Sequence, residues 1–428
     1  MSRFRVIRAT DQRCKLSREW QRRSLQAFAK IAGERELKGT EYEQARANLT
    51  QTIEPASRGL KILLVALFVL VLVTTLNAGL WPFSFHAENN VTWNPEQAEL
   101  FFGDHGMVIS REPFSGTATD AAGGCSMEIL LKPARASDAG TILSFYNPQA
   151  SSWIQLRQSI DDLAFTRSSG PTYDHKNQRS VFVDHVLQKG QWILVTVTSS
   201  GGALSVYVNG TIREAAKNID LRGGDFAGTL ILGNSPYGNS SWSGTVRGLA
   251  LYDHALLSGE IARDYRAWQK NKDGIVPSDP TPFSLYRFDE GSGMIVHDHG
   301  KSGSNLEIPT NYFIMQPGFL VPFWREYHAN WEYVQDLAIN VFGLIPLGFC
   351  FSALFAWRIG VKRCLLFATI LGFCVSLTIE ILQAYMPTRV SGTTDLITNT
   401  SGTALGAWLY LNAHAQGWFE RLGLVRTA

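Results

Sequence analysis

Three sets of polar residues recur at helical spacing inside otherwise apolar stretches towards the end of the sequence. Asp336, Asn340 and Gly343 stand at i, i+4, i+7. Ser376, Glu380 and Gln383 repeat that spacing, and Asp395, Asn399, Gly402 and Gly406 extend it to i+11. Each set falls on one face of a helix. A carboxylate at the centre of a lipid-facing helix costs about 2.5–3.5 kcal/mol on insertion scales. The three faces should therefore look at one another or at a wet cavity. Two kinds of chemistry suit such a cluster. Glu380 could act as general base or acid, with Asp395 and Arg389 holding a phosphate or polar head group. Alternatively, the cluster binds or moves a lipid-linked precursor without reacting with it. The structural reading is a polar network in which Arg389 neutralises one or two carboxylates. Its amides would join helices at about 0.6–2 kcal/mol each. Gly402 and Gly406 form a GxxxG pair, which lets another helix approach closely.

The elements that must position these residues are apolar spans. Gly59–Trp81 is long enough to cross a membrane, with Lys61 at one end and Trp81 at the other. It is not expected to be a cleaved signal, because the preceding arm is long and no A-x-A exit follows it. Residues 1–58 hold 13 Lys/Arg against 7 Asp/Glu, a net of +6, and are expected to be a cytoplasmic tail. Tyr333–Trp357, Cys364–Ala384 and Leu396–Leu411 supply three further runs. The basic loop Trp357–Arg363 and the tail 413–428, with Arg421 and Arg426, should also be cytoplasmic. Four spans with both termini inside place residues 82–330 outside. They also bring Asp336, Glu380, Asp395 and Arg389 to the outer leaflet.

At 428 residues the chain should hold more than one domain. Its net charge of +2 and 45% hydrophobic content average a soluble middle with the apolar runs. The middle, residues 92–310, alternates in period two between turn signals. Trp192, Leu194, Val195 and Val197 lead to Ser-Gly-Gly, and Leu204, Val206 and Val208 then lead to Asn209-Gly210. "CSMEILLKP", "GTILSFYN", "WIQLRQS", "GTLILGN", "GTVRGLALYD" and "FSLYRFDE" read as further strands. An antiparallel sandwich is expected. The fold class is thus an α-helical membrane bundle plus an all-β jelly roll. Cys125 is the single cysteine of the middle, so no disulfide forms within it. Cys350, Cys364 and Cys374 read as small buried hydrophobes.

"WILVTVTSSGGALSVYVNG", "LILGN" and "WSGTVRGLALYDHALLSGEIARDY" resemble LamG-like, concanavalin-type jelly rolls, over about residues 95–308. "DLAINVFGLIPLGF", "SLTIEILQAYMPTR" and "TDLITNTSGTALG" resemble the VanZ-like membrane family, with Pro346 and Gly348 among the matching positions. The jelly roll then sits in the first outer loop of a VanZ-like bundle whose later spans lie in 311–412. The resemblance implies a bacterial cytoplasmic-membrane protein of the cell envelope, linked to resistance to teicoplanin-type glycopeptides. Its partners would be a membrane lipid or lipid-linked precursor and, through the jelly roll, a glycan. Trp153, Tyr173, Tyr237 and Trp242 are candidates to stack on sugar rings. Calcium in the jelly-roll loops is left open. No other cofactor, no resident metal elsewhere and no nucleic acid is expected. "HDHG", His297–Gly300, reads as a turn. No nucleophile elbow, P-loop, zinc signature or Glu-x-Asp-x-Glu strand is present.

Overall fold

A computed structural model describes residues 58–116, 124–149, 152–169, 178–217, 219–238, 240–271, 282–326 and 331–415. The basic tail before residue 58, Tyr173 and the end of the chain after residue 415 lie outside these residues. The described chain divides into two compact units. One contains residues 58–73, 339–372 and 399–415, and the other contains 74–338 and 373–398.

The second unit holds an all-β sandwich. Its strands in chain order are β1 (Val91–Asn94), β2 (Glu99–Phe102), β3 (Val108–Ser110), β4 (Phe114–Ser115), β5 (Cys125–Pro133), β6 (Thr141–Tyr146), β7 (Ser152–Ser159), β8 (Asp162–Ser169) and β9 (Gln178–Val183). There follow β10 (Ile193–Ser200), β11 (Ala203–Val208), β12 (Thr211–Ala216), β13 (Ala227–Leu232), β14 (Gly244–Tyr252), β15 (Ser284–Tyr286), β16 (Ile295–Val296) and β17 (Leu306–Glu307). One sheet runs β1-β2-β14-β5-β10-β11-β12, with β15 also on β14. The other runs β16-β17-β3-β13-β6-β7-β8-β9, with β4 on β13. The strand pairings are antiparallel; β10, for instance, pairs Val195 with Val208 on β11 and with Ile129 on β5.

The expected hairpin forms at both of its turn signals. Gly201 and Gly202 have φ of 61° and 78°, and Asn209 and Gly210 have 54° and 75°. Two successive positive φ values match the right-handed twist of a two-residue hairpin, which is why Gly-Gly and Asn-Gly occupy these places. Between the sheets lie Ile129, Leu131, Val195, Val197, Phe145 and Trp242, all buried.

Strand β5 is buried on both faces, and a helix explains it. Helix α2 (Ser258–Asn271) follows β14 and covers the outer face of the first sheet. Leu130, Leu194, Tyr252 and Leu285 of that face pack with Leu256 and Ile261 in a second apolar layer. A strand covered on both sides reads as a continuous apolar run rather than an alternating one. Glu128 lies in the same strand, wholly buried, and accepts hydrogen bonds from Thr196 Oγ1 at 2.8 Å and Tyr252 OH at 3.3 Å.

The long helices are α1 (Arg58–Leu80), α4 (Trp331–Ile359), α5 (Val361–Gln383) and α6 (Thr393–Ala415), with the short α3 (Phe323–Glu326) before α4. Three of them are long and apolar enough to cross a membrane, at Lys61–Leu80, Tyr333–Ala356 and Arg363–Gln383. Helix α6 is as long as α1 and α5 but carries Thr393, Thr394, Thr398, Asn399, Thr400, Ser401 and Thr403 in its first half. That polar half separates it from the other three. In the first unit, α4 and α6 meet through glycine. A Cβ on Gly402 would collide with the Val341 carbonyl oxygen, and one on Gly406 with that of Ile345. From the other side, a Cβ on Gly348 would collide with the Thr403 carbonyl. Backbones this close leave no room for a side chain, as a GxxxG face requires. Cys350 and Cys364 are buried, whereas Cys374 is exposed on α5.

Candidate functional site

The end of α5, the connection 384–392 and the start of α6 enclose a polar cluster in the second unit. Three successive features of the chain build it. Helix α5 stops at Gln383, and the turn after it closes through Met386 N to Gln383 O at 2.8 Å. The segment before α3 then pairs with the connection. Val321 N donates to Ser391 O and Thr393 N donates to Val321 O, both at 2.9 Å. Helix α6 begins at Thr393, and its first amides need acceptors that the helix itself cannot supply.

Two carboxylates supply them. Glu380 Oε2 accepts from Gly392 N at 2.7 Å, and Glu326 Oε2 accepts from Thr394 N at 3.0 Å and from the Thr394 hydroxyl. A carboxylate at a helix N-terminus gains from both the orphan amides and the macrodipole. Gly392 leaves room for the Glu326 carboxylate, which a Cβ there would displace. Asp395 follows in the first turn of α6, and its carbonyl accepts from Ser376 Oγ at 3.4 Å. Gln383 donates through Nε2 to Gly79 O at 2.7 Å, which ties α5 to the end of α1. Gly79 in turn packs its backbone against Ile379.

Electrostatically, the site is acidic. Asp395 and Glu326 both add negative potential at Glu380, and the Ser391 hydroxyl stands beside the same carboxyl. Glu380 is 0% exposed and Gln383 is 2% exposed. Each has one oxygen, Oε1 in both cases, that is buried without a hydrogen-bond partner. Gln383 must point its carbonyl oxygen this way, because its NH2 group is already committed to Gly79 O. Neither Glu380 nor Glu326 has an ion-pair partner among the described residues.

Of the residues singled out from the sequence, Ser376, Glu380, Gln383 and Asp395 meet here. Arg389 does not neutralise them. It is exposed, and its backbone N–H closes a turn on Met386 O at 3.0 Å, while its guanidinium forms no ion pair among the described residues. Asp336 is exposed in the first turns of α4. Asn340 and Asn399 belong to the other unit, where the Asn399 carbonyl accepts from Thr403 Oγ1 at 3.0 Å. Glu326 was not singled out. It stands in "PFWRE", outside every apolar run, and its one signal is a carboxylate two residues after a pair of aromatics, Phe323 and Trp324, which are exposed.

The sandwich corrects part of the aromatic expectation. Trp242 is fully buried, with its indole N–H donating to Gln158 Oε1 at 2.9 Å, and its ring fills the space beside Gly244. Trp153 is also buried. Neither can stack on a sugar; both are core residues. Tyr237 is half-buried against Tyr146 and Trp153, and its phenol is pushed up to about 12, by burial first and then by Tyr146. Among the grooves on the described surface, one of about 660 Å³ is lined by Arg179, Ser180, Lys217 and Ile219, and two are smaller. One, of about 480 Å³, includes Phe101, Asn94, Lys132 and Lys189. The other, of about 280 Å³, includes Asp104, His105, Arg135 and Asp138. Among the described residues, the acids that could hold a cation are Asp161 and Asp162 with His185, and Asp289 and Glu290 with His299. Each group includes an imidazole, whereas calcium takes oxygen ligands. In "HDHG", Asp298 organises a turn by accepting from Leu285 N, Gly300 N and Ser302 Oγ.

The VanZ/LLP1 family model matches residues 284–414, and that of the concanavalin A-like lectin/glucanases superfamily matches residues 112–262. Among solved structures, the chain is similar to a heptameric SAP-like pentraxin from Limulus polyphemus, at 18% identity over 47% of this chain and 88% of that one, with a TM-score of 0.31. It is similar to a Bacteroides ovatus protein whose name proposes carbohydrate binding, at 14% identity over 53% and 60%, with a TM-score of 0.34. It is also similar to the receptor-binding domain of botulinum neurotoxin D, at 14% identity over 42% and 46%, with a TM-score of 0.32. The chain thus spans less than half the length of that last structure. Curated proteins give no match. The residues that match the VanZ/LLP1 model contain the Glu380 cluster and three helices of the C-terminal half, those that match the concanavalin A-like model lie in the sandwich, and the apolar helices mark a membrane protein.

Proposed function

We propose that the protein is a four-span protein of the bacterial cytoplasmic membrane that binds a lipid or lipid-linked envelope precursor at the outer end of its bundle. The sandwich, held outside, would recognise a glycan of the same envelope. One observation carries the reading: the Glu380 carboxylate is wholly buried, has no ion-pair partner among the described residues, and keeps Oε1 open. Stability alone gives little reason to bury a carboxyl and leave one of its oxygens without a hydrogen-bond partner. Exposed aromatics support the placement of the site at a membrane–water boundary. Trp81 and Phe83 follow α1, Phe323 and Trp324 form α3, and Tyr385 follows α5. Aromatic side chains collect at the head-group level of membranes. The basic residues on either side of the α4–α5 junction, Arg358 at the end of α4 and Lys362 and Arg363 at the start of α5, support a cytoplasmic opposite end.

Reporter fusions after residues 200 and 360 test the orientation; a cytoplasmic signal at 200 overturns it. Lipid extracted from the purified full chain tests the site. Glu380→Gln should lose a lipid that the parent retains, and an unchanged lipid complement contradicts the assignment. The same open oxygen would also suit acid–base chemistry, and incubation with lipid-linked precursor separates turnover from binding alone.

A further inference from the structure

Resting on that reading, we propose that the outer-end site takes the primary ammonium of a lipid head group, held by Glu380 Oε1 and Gln383 Oε1, with the head-group phosphate facing Arg389. The two open atoms decide the ligand's polarity. Gln383 Oε1 is an acceptor, Glu380 Oε1 is one once its carboxyl is ionised by a cationic partner, both are buried, and they stand three residues apart on one face of α5. A ligand must therefore bring donors. The site's field is negative, with Asp395 and Glu326 adding to Glu380, so a positive donor is favoured over a neutral one. The Ser391 hydroxyl already hydrogen-bonds the same carboxyl, and Oε1 stays without a partner beside it.

Between cationic ligands, geometry favours an ammonium over a metal ion. Among the described residues, the groups whose ligand atoms gather within 4.8 Å of one another lie in the sandwich, and Glu326, Glu380 and Asp395 do not form such a group. One carboxyl oxygen and one amide oxygen are too few for a calcium-like ion, which takes roughly 6–8 oxygens, but they give partners to two of an ammonium's three N–H donors. Arg389 completes the argument. It is exposed and unpaired among the described residues, nine residues after Glu380 on the connection that leads to α6. A free guanidinium there matches a phosphate, which it can bind with two parallel hydrogen bonds. Acceptors inside and a guanidinium outside fit a head group with an inner amine and an outer phosphate.

The test varies the lipid while the protein stays constant. The full chain is reconstituted with phosphatidylethanolamine, its N-methyl and N,N-dimethyl derivatives, phosphatidylcholine or phosphatidylglycerol, and retention is read by native mass spectrometry. Stepwise methylation removes N–H donors without removing the charge. Retention should fall along the series, with phosphatidylethanolamine preferred over phosphatidylcholine by about tenfold or more, and Glu380→Gln should abolish the preference. Soluble phosphoethanolamine added as competitor distinguishes the head group from the whole lipid. Displacement means that the head group suffices; failure to displace, with the methylation order intact, means that the acyl chains contribute as well. Equal retention of phosphatidylethanolamine and phosphatidylcholine overturns the ammonium assignment. If Glu380-dependent retention then favours phosphatidylglycerol, the wider lipid-binding reading survives. If no lipid depends on Glu380, both fall.

Discussion

Glu128→Gln should remove a pH dependence from the stability of the sandwich. Glu128 is wholly buried on β5 beneath α2, and its carboxyl is pushed up to about 8, first by burial and next by Asp264, against the pull of its hydrogen bonds from Thr196 and Tyr252. In the unfolded chain the same group titrates near 4.5. Between these values the folded state holds a proton that the unfolded state has released. Stability from this group is therefore fully present below the unfolded value and is lost as pH rises towards about 8. The slope approaches about 1.4 kcal/mol per pH unit, with a ceiling of roughly 5 kcal/mol across the window. Glutamine keeps the shape and one acceptor oxygen, puts a donor where the protonated acid has its O–H, and cannot ionise. Urea unfolding of the full chain in mild detergent, followed by tryptophan fluorescence at pH 5.5, 7 and 8.5, reads the effect. Titrations common to both proteins cancel in the difference. The variant should gain on the parent as pH rises; a constant difference between them refutes a protonated Glu128.

Other expectations follow from single contacts. Gly406→Ala should lower the thermal stability of the full chain by about 1–3 kcal/mol, because its methyl meets the Ile345 carbonyl; an unchanged midpoint contradicts the close approach of α4 and α6. Trp242→Ala should cost about 3–5 kcal/mol in the same urea assay, since the ring fills the core and its N–H bonds Gln158. Sugar binding, if present, should survive Trp242→Phe, a conservative core change. Glu326→Gln keeps an acceptor for Thr394 but removes charge from the α6 N-terminus. It should destabilise that end by about 0.3–1 kcal/mol, seen as faster amide exchange at Thr393–Asp395.

Much of the architecture is written in local patterns. Asn209-Gly210 and Gly201-Gly202 mark hairpin turns because their backbones need positive φ, and alternation at Leu204, Val206 and Val208 marks the half-buried strand between them. The double burial of β5 was less legible, since it depends on α2 folding back from more than 120 residues later in the chain. The same non-locality hides Glu326. Nothing in its own sequence says that it caps a helix 68 residues away; only the pairing of Val321 with Ser391 and Thr393 brings it there. Helical spacing placed Glu380 and Gln383 on one face, and the tertiary fold adds which of their atoms are satisfied. Spacing also made Arg389 a natural counter-charge, yet the turn that closes on Met386 leaves its side chain outside. Trp153 and Trp242 show the limit of composition in a sandwich, where period two assigns a face but not which face is covered.

The most direct measurement is the lipid content of the purified full chain and of Glu380→Gln, compared by mass spectrometry at equal fold and yield. If the proposed function holds, the parent carries a lipid species that the variant lacks, since the proposal places that lipid against the buried Glu380 carboxyl, whose Oε1 is open. Identical lipid complements in two equally folded proteins would contradict the account.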